Sequence, residues 1–568
     1  MMHTERPTLA DLMQRASDAE PAISAAGLHA LGQAYASRRE YAKAVDVLRR
    51  AATLDPTRPE SLFHMAEALT YLSKWDESID ALRRGLAIRF SVSQAGRLGK
   101  LYRDVGNADA AMATALDALQ QAPHKSEPYE VLCDVLAMGR TIGDIEARVA
   151  SLFPEAEPTP MRIGLARALE QTGRYEEARE CWMVALRDAP DDQRVVIGTA
   201  EVEVVLGNID AAAQLFDRVY ARHPDDNGVV LACTEFLIRC GRFRDLWDRI
   251  RAPHALSDAP PKPRPPRRAL PERAAFEVRD PQVAPRWNGK QPLYGKTILL
   301  DCRGGYGDVI QFARFGALFK ERGASVVLEV PPCLVELLRT MKAADEVVAP
   351  YEPCRPLDYQ CRAAYSAFFV EWSPHWMQAS TPYLSVEPAR RRVWSDRFDP
   401  RRLNVGIVWR TTAENRRNPY MFRSVPLREF QALADVPGVT LYGLQVGAGT
   451  EEVTADTRPW LAANFESETR DFRDAAAAID ALDVVVSPDS GLAHLTGALG
   501  KPCFVLLPRH PSWRWMTAAP ELAASGGSVW YPDMRLFRQQ APGDWSAPMQ
   551  QIADSLRTLA LARTEPAA

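Results

Sequence analysis

Apolar positions fall into two textures along the chain. As far as about residue 252, apolar and small residues recur every three or four positions, the spacing of one helix face, and glycine and proline interrupt the pattern at intervals. Beyond Pro292, short apolar runs alternate with helical patterns: Thr297–Cys302, a helix to Arg322, Ser325–Val330, a helix to Met341, then Glu346–Val348. A second series begins at Asn404 with NVGIVWR, VTLYGLQVG, DVVVSPDSG and PCFVLLP, and helices fit over Leu427–Ala434 and Asp471–Leu482. Strand-helix-strand order predicts parallel sheets with right-handed crossovers. Two such sheets in tandem predict two Rossmann-like domains facing a cleft. Between the textures, APPKPRPPRRALPERA from Ala259 predicts an extended linker. Its Arg264, Arg267 and Arg268 read as solvated charge.

The helical texture is periodic. VGNADAA, TGRYEEA, LGNIDAA and CGRFRDL place Gly106, Gly173, Gly207 and Gly241 in equivalent turns, the last three 34 residues apart, and Pro190 and Pro224 share that spacing. This is the period of the tetratricopeptide repeat (TPR), and single positions agree with it. Leu31, Gly32, Tyr35, Ala44, Leu48, Ala51 and Pro56 fill the signature slots, as do Leu98, Gly99, Tyr102, Ala111, Ala118 and Pro123. Leu165, Ala166, Leu169, Ala178, Trp182, Ala185 and Pro190 fill them again. Small residues at 44, 111 and 178 allow paired helices to approach closely, and proline ends the second helix. About six or seven pairs fit between residues 20 and 252, with an irregular pair around Arg140–Pro158. Such a solenoid carries no chemistry; its concave face binds a peptide or protein segment.

Composition narrows the class. The chain has 568 residues, too many for one core, with 46% hydrophobic and 25% charged residues. A net charge of −4 supplies no global attraction to nucleic acid or anionic membrane, so anion binding must be local. Nine cysteines without a Cys-x-x-Cys pair read as reduced, buried thiols. The start, MMHTERPTLADLMQ, has no apolar core of signal-peptide length, and no apolar stretch of membrane-spanning length occurs; both predict a cytoplasmic chain without stable membrane insertion.

The chemistry falls just after the strands, where ligands of such folds sit. Arg303-Gly-Gly-Tyr-Gly-Asp308 follows the first strand. It is no P-loop, because no Gly-Lys-Ser/Thr follows. It is no dinucleotide fingerprint either, since Ile310 replaces the third glycine and Asp308 would meet the pyrophosphate. Gly304, Gly305 and Gly307 shape the loop. A carboxylate favoured by the helix dipole at a cleft mouth suits a general base, and the same position suits a plain helix cap. The second series ends in Ser487-Pro-Asp-Ser-Gly-Leu-Ala-His494. Asp489 or Ser490 can cap the helix, Gly491 admits a ligand to the backbone, and His494 lies one turn on. The amides at that terminus form a phosphate site.

The paired motifs carry a resemblance. Residues 295–563 resemble heptosyltransferase-like glycosyltransferases of the GT-B fold, which carry Gly-x-Gly-Asp in the first domain and Asp-Ser/Thr-Gly-x-x-His in the second. Here these are Gly305-Tyr-Gly-Asp308 and Asp489-Ser490-Gly491-Leu-Ala-His494. ALGKPCFVLLPRHPSWRWM and WYPDMRLFRQQAPGDW resemble the subgroup fused to TPRs. The resemblance implies an inverting transfer with Asp308 as base and with Asp489, Ser490, Gly491 and His494 holding a nucleotide-sugar donor. Basic residues of WRTTAENRRNPYMFR would stabilise the leaving phosphate: Arg410 first, then Arg416, Arg417 and Arg423, with Trp409 beside them. Gln445 is open between contact with the base or ribose and a plain loop role. No Asp-x-Asp occurs, so neither a metal nor another cofactor is expected.

The expected architecture is an α-helical TPR solenoid followed by an α/β GT-B fold. Residues 1–252 form the acceptor-binding repeats and 253–291 the linker. Residues 292–388 form the acceptor-side domain, and 389–568 the donor-side domain with a C-terminal helix. FFVEWSPHWMQASTPYL has no family counterpart to place it. Repeats fused to such an enzyme imply a protein acceptor, as in O-linked N-acetylglucosamine transferases. Bacterial flagellin glycosyltransferases look closer still. They imply transfer of a nonulosonic acid, such as pseudaminic or legionaminic acid, from a CMP donor to flagellin Ser or Thr. The alternatives are a heptosyltransferase-like enzyme acting on a lipid or polysaccharide, and a non-catalytic TPR scaffold.

Overall fold

The computed structural model describes residues 24–137, 140–224, 226–251, 284–287, 289, 291–352, 354–411, 423–516 and 526–564. Most of the proline-rich linker, and Arg416 and Arg417, lie outside the described residues. Contacts group the chain into two compact units. One runs through the repeats to Cys233; the other includes Thr234–Pro253 and the α/β region from Gln282 onward.

Among the described residues, fourteen helices from Ala25–Ser37 to Phe243–Arg251 form seven successive pairs. Ala44, Ala111 and Ala178 are wholly buried, as their small size requires. Gly32 backs onto Leu48 so closely that an added Cβ would lie 2.4 Å from Leu48 Cγ. The turn glycines 106, 173, 207 and 241 have φ between +68° and +85°, conformations that only glycine adopts without strain. Arg39 and Ser73 adopt the same left-handed turn in the first two pairs. The irregular pair is present: its second helix, Ile142–Leu152, is short. The Pro158–Gln171 helix packs instead on Ser126–Leu136, where Gly164 faces the backbone of Tyr129 and Glu130.

The α/β region holds two parallel sheets. The first contains β1 (Thr297–Asp301), β2 (Ser325–Glu329), β3 (Glu346–Val348) and β4 (Tyr359–Arg362) in the order β3-β2-β1-β4. The second contains β5 (Leu403–Ile407), β6 (Val439–Gly443), β7 (Leu461–Asn464), β8 (Val484–Pro488), β9 (Cys503–Leu507) and β10 (Met534–Arg538), in the order β10-β9-β8-β5-β6-β7. Every residue of β5, β8 and β9 is buried, which is why those runs are continuously apolar rather than alternating. The C-terminal helix Ser546–Thr564 closes this core through Ile552 and Leu556. The two-sheet expectation is met.

Two boundaries differ from expectation. The chain is already part of the first sheet at Arg286, which bridges Gln360, while Trp287 is buried edge-on against Phe319; the expected linker reached to 291. The last repeat helix belongs with the α/β unit, because Phe243 and Trp247 pack on Trp372. The segment without a family counterpart supplies that Trp372. Among the described residues no helix is long and apolar enough to cross a membrane.

Candidate active site

The glycine loop leaves β1 and turns into the helix Tyr306–Ala313. Gly304 has φ +147°, and a Cβ there would lie 3.3 Å from the Asp308 side chain. Asp308 Oδ2 accepts from the Gly305 amide at 3.1 Å, so this carboxylate does cap its own helix. It also does more. Its Oδ1 accepts from Arg514 Nη2 at 2.5 Å, and the side chain remains 35% exposed. A carboxylate ends this loop because a guanidinium from the second sheet's side of the fold meets it.

The second motif leaves β8 and opens the helix Gly491–Ala498. Ser490, not Asp489, is its cap: the hydroxyl accepts from the Ala493 amide at 3.2 Å and lies 2.8 Å from Ser487 Oγ. The Gly491 and Leu492 amides have no acceptor within the helix, the usual state of a first turn. This terminus meets the other one directly. A Cβ on Gly307 would lie 2.7 Å from His494 Cδ2 and 3.4 Å from Gly491 Cα. The two glycines bring two helix N-termini, both electropositive, into contact.

Asp489 and His494 are buried beneath this junction. His494 Nδ1 lies 3.2 Å from the Tyr531 hydroxyl, its Nε2 is 3.7 Å from Asp489 Oδ1, and its ring stacks on Trp515. Burial alone would raise the Asp489 carboxyl. His494 and the charges of Arg514 and Arg423 outweigh it and hold the group well below the usual carboxylate range. Arg423 Nη1 reaches to 3.7 Å from Asp489 Oδ2.

The other candidates lie apart from this cluster. Arg410 Nε is tied to Glu452 Oε1 at 2.5 Å, and Trp409 is fully buried with its indole donating to the Gly449 carbonyl. Gln445 has the loop role. Its Oε1 accepts from the Trp409 and Arg410 amides, and its Nε2 donates to the Ala448 carbonyl, so no atom of the amide is left for a base or ribose. Sequence reasoning did not single out Arg514, Trp515, Tyr531 or Arg538. The available signal was the alternation of aromatic and basic residues in PSWRWM and WYPDMRLFR.

The sequence matches the family model "Glycosyltransferase family 9 (heptosyltransferase)" over residues 448–533, which spans the second motif and the arginine that reaches Asp308. It matches a tetratricopeptide-repeat model over 163–227 and an anaphase-promoting complex, cyclosome, subunit 3 model over 9–85. Protein FlbA of Caulobacter vibrioides is 26% identical over 466 residues, covering 75% of this chain and 72% of FlbA. Among solved structures, the E. coli ADP-heptose lps heptosyltransferase II is 16% identical with a TM-score of 0.35, over 47% of this chain and all of that one. The family 9 glycosyltransferase of Veillonella parvula is 12% identical, also at 0.35, over 48% of this chain and 99% of its own. The chain is therefore an array of tetratricopeptide repeats fused to a family 9, heptosyltransferase-like glycosyltransferase domain.

Proposed function

We propose that this protein transfers a sugar, with inversion and without a metal, from a nucleotide-sugar donor to a serine or threonine hydroxyl of a protein held by its repeats. Flagellin is the first acceptor to test and a CMP-linked nonulosonic acid the first donor. One observation carries the reading: an accessible carboxylate, Asp308, stands where two helix N-termini and an arginine converge. In that arrangement Asp308 takes the proton of the acceptor hydroxyl. The hydroxyl oxygen bonds to the anomeric carbon, and the bond from that carbon to the phosphate oxygen breaks, leaving its electron pair on the phosphate. Both Asp308 oxygens already accept one hydrogen bond, and each keeps a lone pair for the proton. The Gly491 and Leu492 amides and Arg423 stabilise the charge that develops on the leaving group. The decisive experiment incubates the full-length protein with flagellin and a panel of nucleotide sugars and follows the acceptor mass. Modification of lipid but not of protein would overturn the acceptor assignment.

His494 supports the donor end from below. Its replacement by alanine should weaken nucleotide binding by ~1–3 kcal/mol, because the Tyr531 and Asp489 contacts that fix the Gly491 helix are lost. Calorimetry on the folded variant checks this, and unchanged affinity would reduce His494 to packing.

The repeats should act through effective concentration. A chain starting just before Thr234, which keeps the helix that packs on Trp372, should bind nucleotide and hydrolyse donor as before. Modification of intact protein should fall by about tenfold or more. Equal rates for the short and full chains on protein acceptor would assign the repeats another task.

A further inference from the structure

A pocket of about 250 Å³ opens beside the two motifs, lined by Arg514, Trp515, Met516, Ser528, Leu536 and Arg538 among others. No carboxylate lines it, and its polar side chains are rich in donors. Arg538 donates through Nη2 to the Trp515 carbonyl at 2.6 Å, whereas its Nη1 is buried with no acceptor. The Trp515 indole, only 1% exposed, has an Nε1 donor that is likewise unpartnered. Burial without a counter-charge pulls the Arg538 guanidinium down to about 10. Met516 sits in the left-handed region, at φ +46°, strain of a kind that collects at ligand sites. A fold that buries donors without acceptors is incomplete until an acceptor-only group enters.

We propose that this pocket is an oxyanion subsite that takes one carboxylate or phosphate group of the donor. Arg514 is the link to the chemistry: it lines the pocket and also holds Asp308, so an anion seated on Arg538 and Trp515 draws that guanidinium away from the carboxylate and leaves Asp308 unencumbered as the donor docks. The chemistry of the pocket fits a compact anion with several acceptor atoms, which planar guanidinium groups bind in pairs. The identity of that anion as part of a sugar donor rests on the proposed function; the binding itself does not.

The test uses the full chain and two small probes, inorganic phosphate and pyruvate, titrated while tryptophan fluorescence is followed. Saturable binding of either probe is expected, weakened about tenfold or more by Arg538→Met and measurably by Trp515→Phe. Phosphate alone would identify the donor's phosphate as the occupant, and pyruvate alone its carboxylate. Absence of saturable binding by the wild-type chain overturns the proposal, as does equal affinity in wild type and Trp515→Phe, which keeps the aromatic packing even where Arg538→Met does not fold. Because no turnover is measured, failure of the transfer reaction leaves this result standing, and the reverse also holds.

Discussion

An Asp308→Asn protein should fold, bind its nucleotide nearly as well as the parent and transfer sugar ~10²–10⁴ times more slowly, the usual contribution of a positioned base. Asparagine keeps the shape, and its carbonyl oxygen can still accept from the Gly305 amide, so the cap on the Tyr306 helix survives. Only the negative charge and the proton acceptor disappear. The ion pair with Arg514 weakens as well, but the pair is partly exposed and its loss alone is worth little stability. Rate and affinity therefore separate, which a merely structural Asp308 would not allow. Transfer assays beside calorimetry on the same sample decide it, and wild-type turnover by the asparagine variant would return Asp308 to the rank of a helix cap.

What could be read from the chain was local or periodic. The turn glycines repeat at fixed spacing and three alanines recur where helices touch, so the repeats were legible. Arg39 and Ser73 show the limit, because they make the same turn without the residue that advertises it. The strands were legible as apolar runs, since central parallel strands are buried on both faces. Asp308 and Ser490 could be placed at helix starts because a cap is a matter of three or four residues. Contacts between distant segments left no such trace. Nothing near Gly307 announces Gly491, and Arg514 lies 206 residues from the carboxylate it holds. Arg410 and Gln445 followed strands as ligand residues do, yet their own loop engages them: Glu452 holds the arginine, and three neighbouring backbone groups engage the glutamine.

Arg314 belongs to the same class of distant contact, and removing it should cost the α/β unit more than any other single change considered. It closes the glycine-loop helix and is 1% exposed. Its Nη1 donates to the Trp530 carbonyl at 2.7 Å. Its Nη2 faces the Met377 carbonyl at 2.8 Å, Ser380 Oγ at 3.0 Å and Thr381 Oγ1 at 2.7 Å. The guanidinium lies over the rings of Tyr383 and Tyr531, the tyrosine whose hydroxyl meets His494. One side chain thus ties the first motif's helix, the segment around Met377 and the backbone beneath the second motif. Two effects oppose each other in Arg314→Met. Relief from burying a charge favours methionine, but methionine leaves two interior carbonyls without donors and forfeits the ring contacts. Breaking a buried charged network by removing one member costs ~3–5 kcal/mol, so the second effect wins. Thermal unfolding followed by tryptophan fluorescence suits the test, because only Trp75 and Trp182 belong to the repeat unit. The expected result is a lower midpoint for the fluorescence transition, with Arg314→Lys intermediate because an ammonium can serve only some of these acceptors. A midpoint unchanged in the methionine variant would show that the carbonyls find other donors, and that the two motifs are held together without this residue.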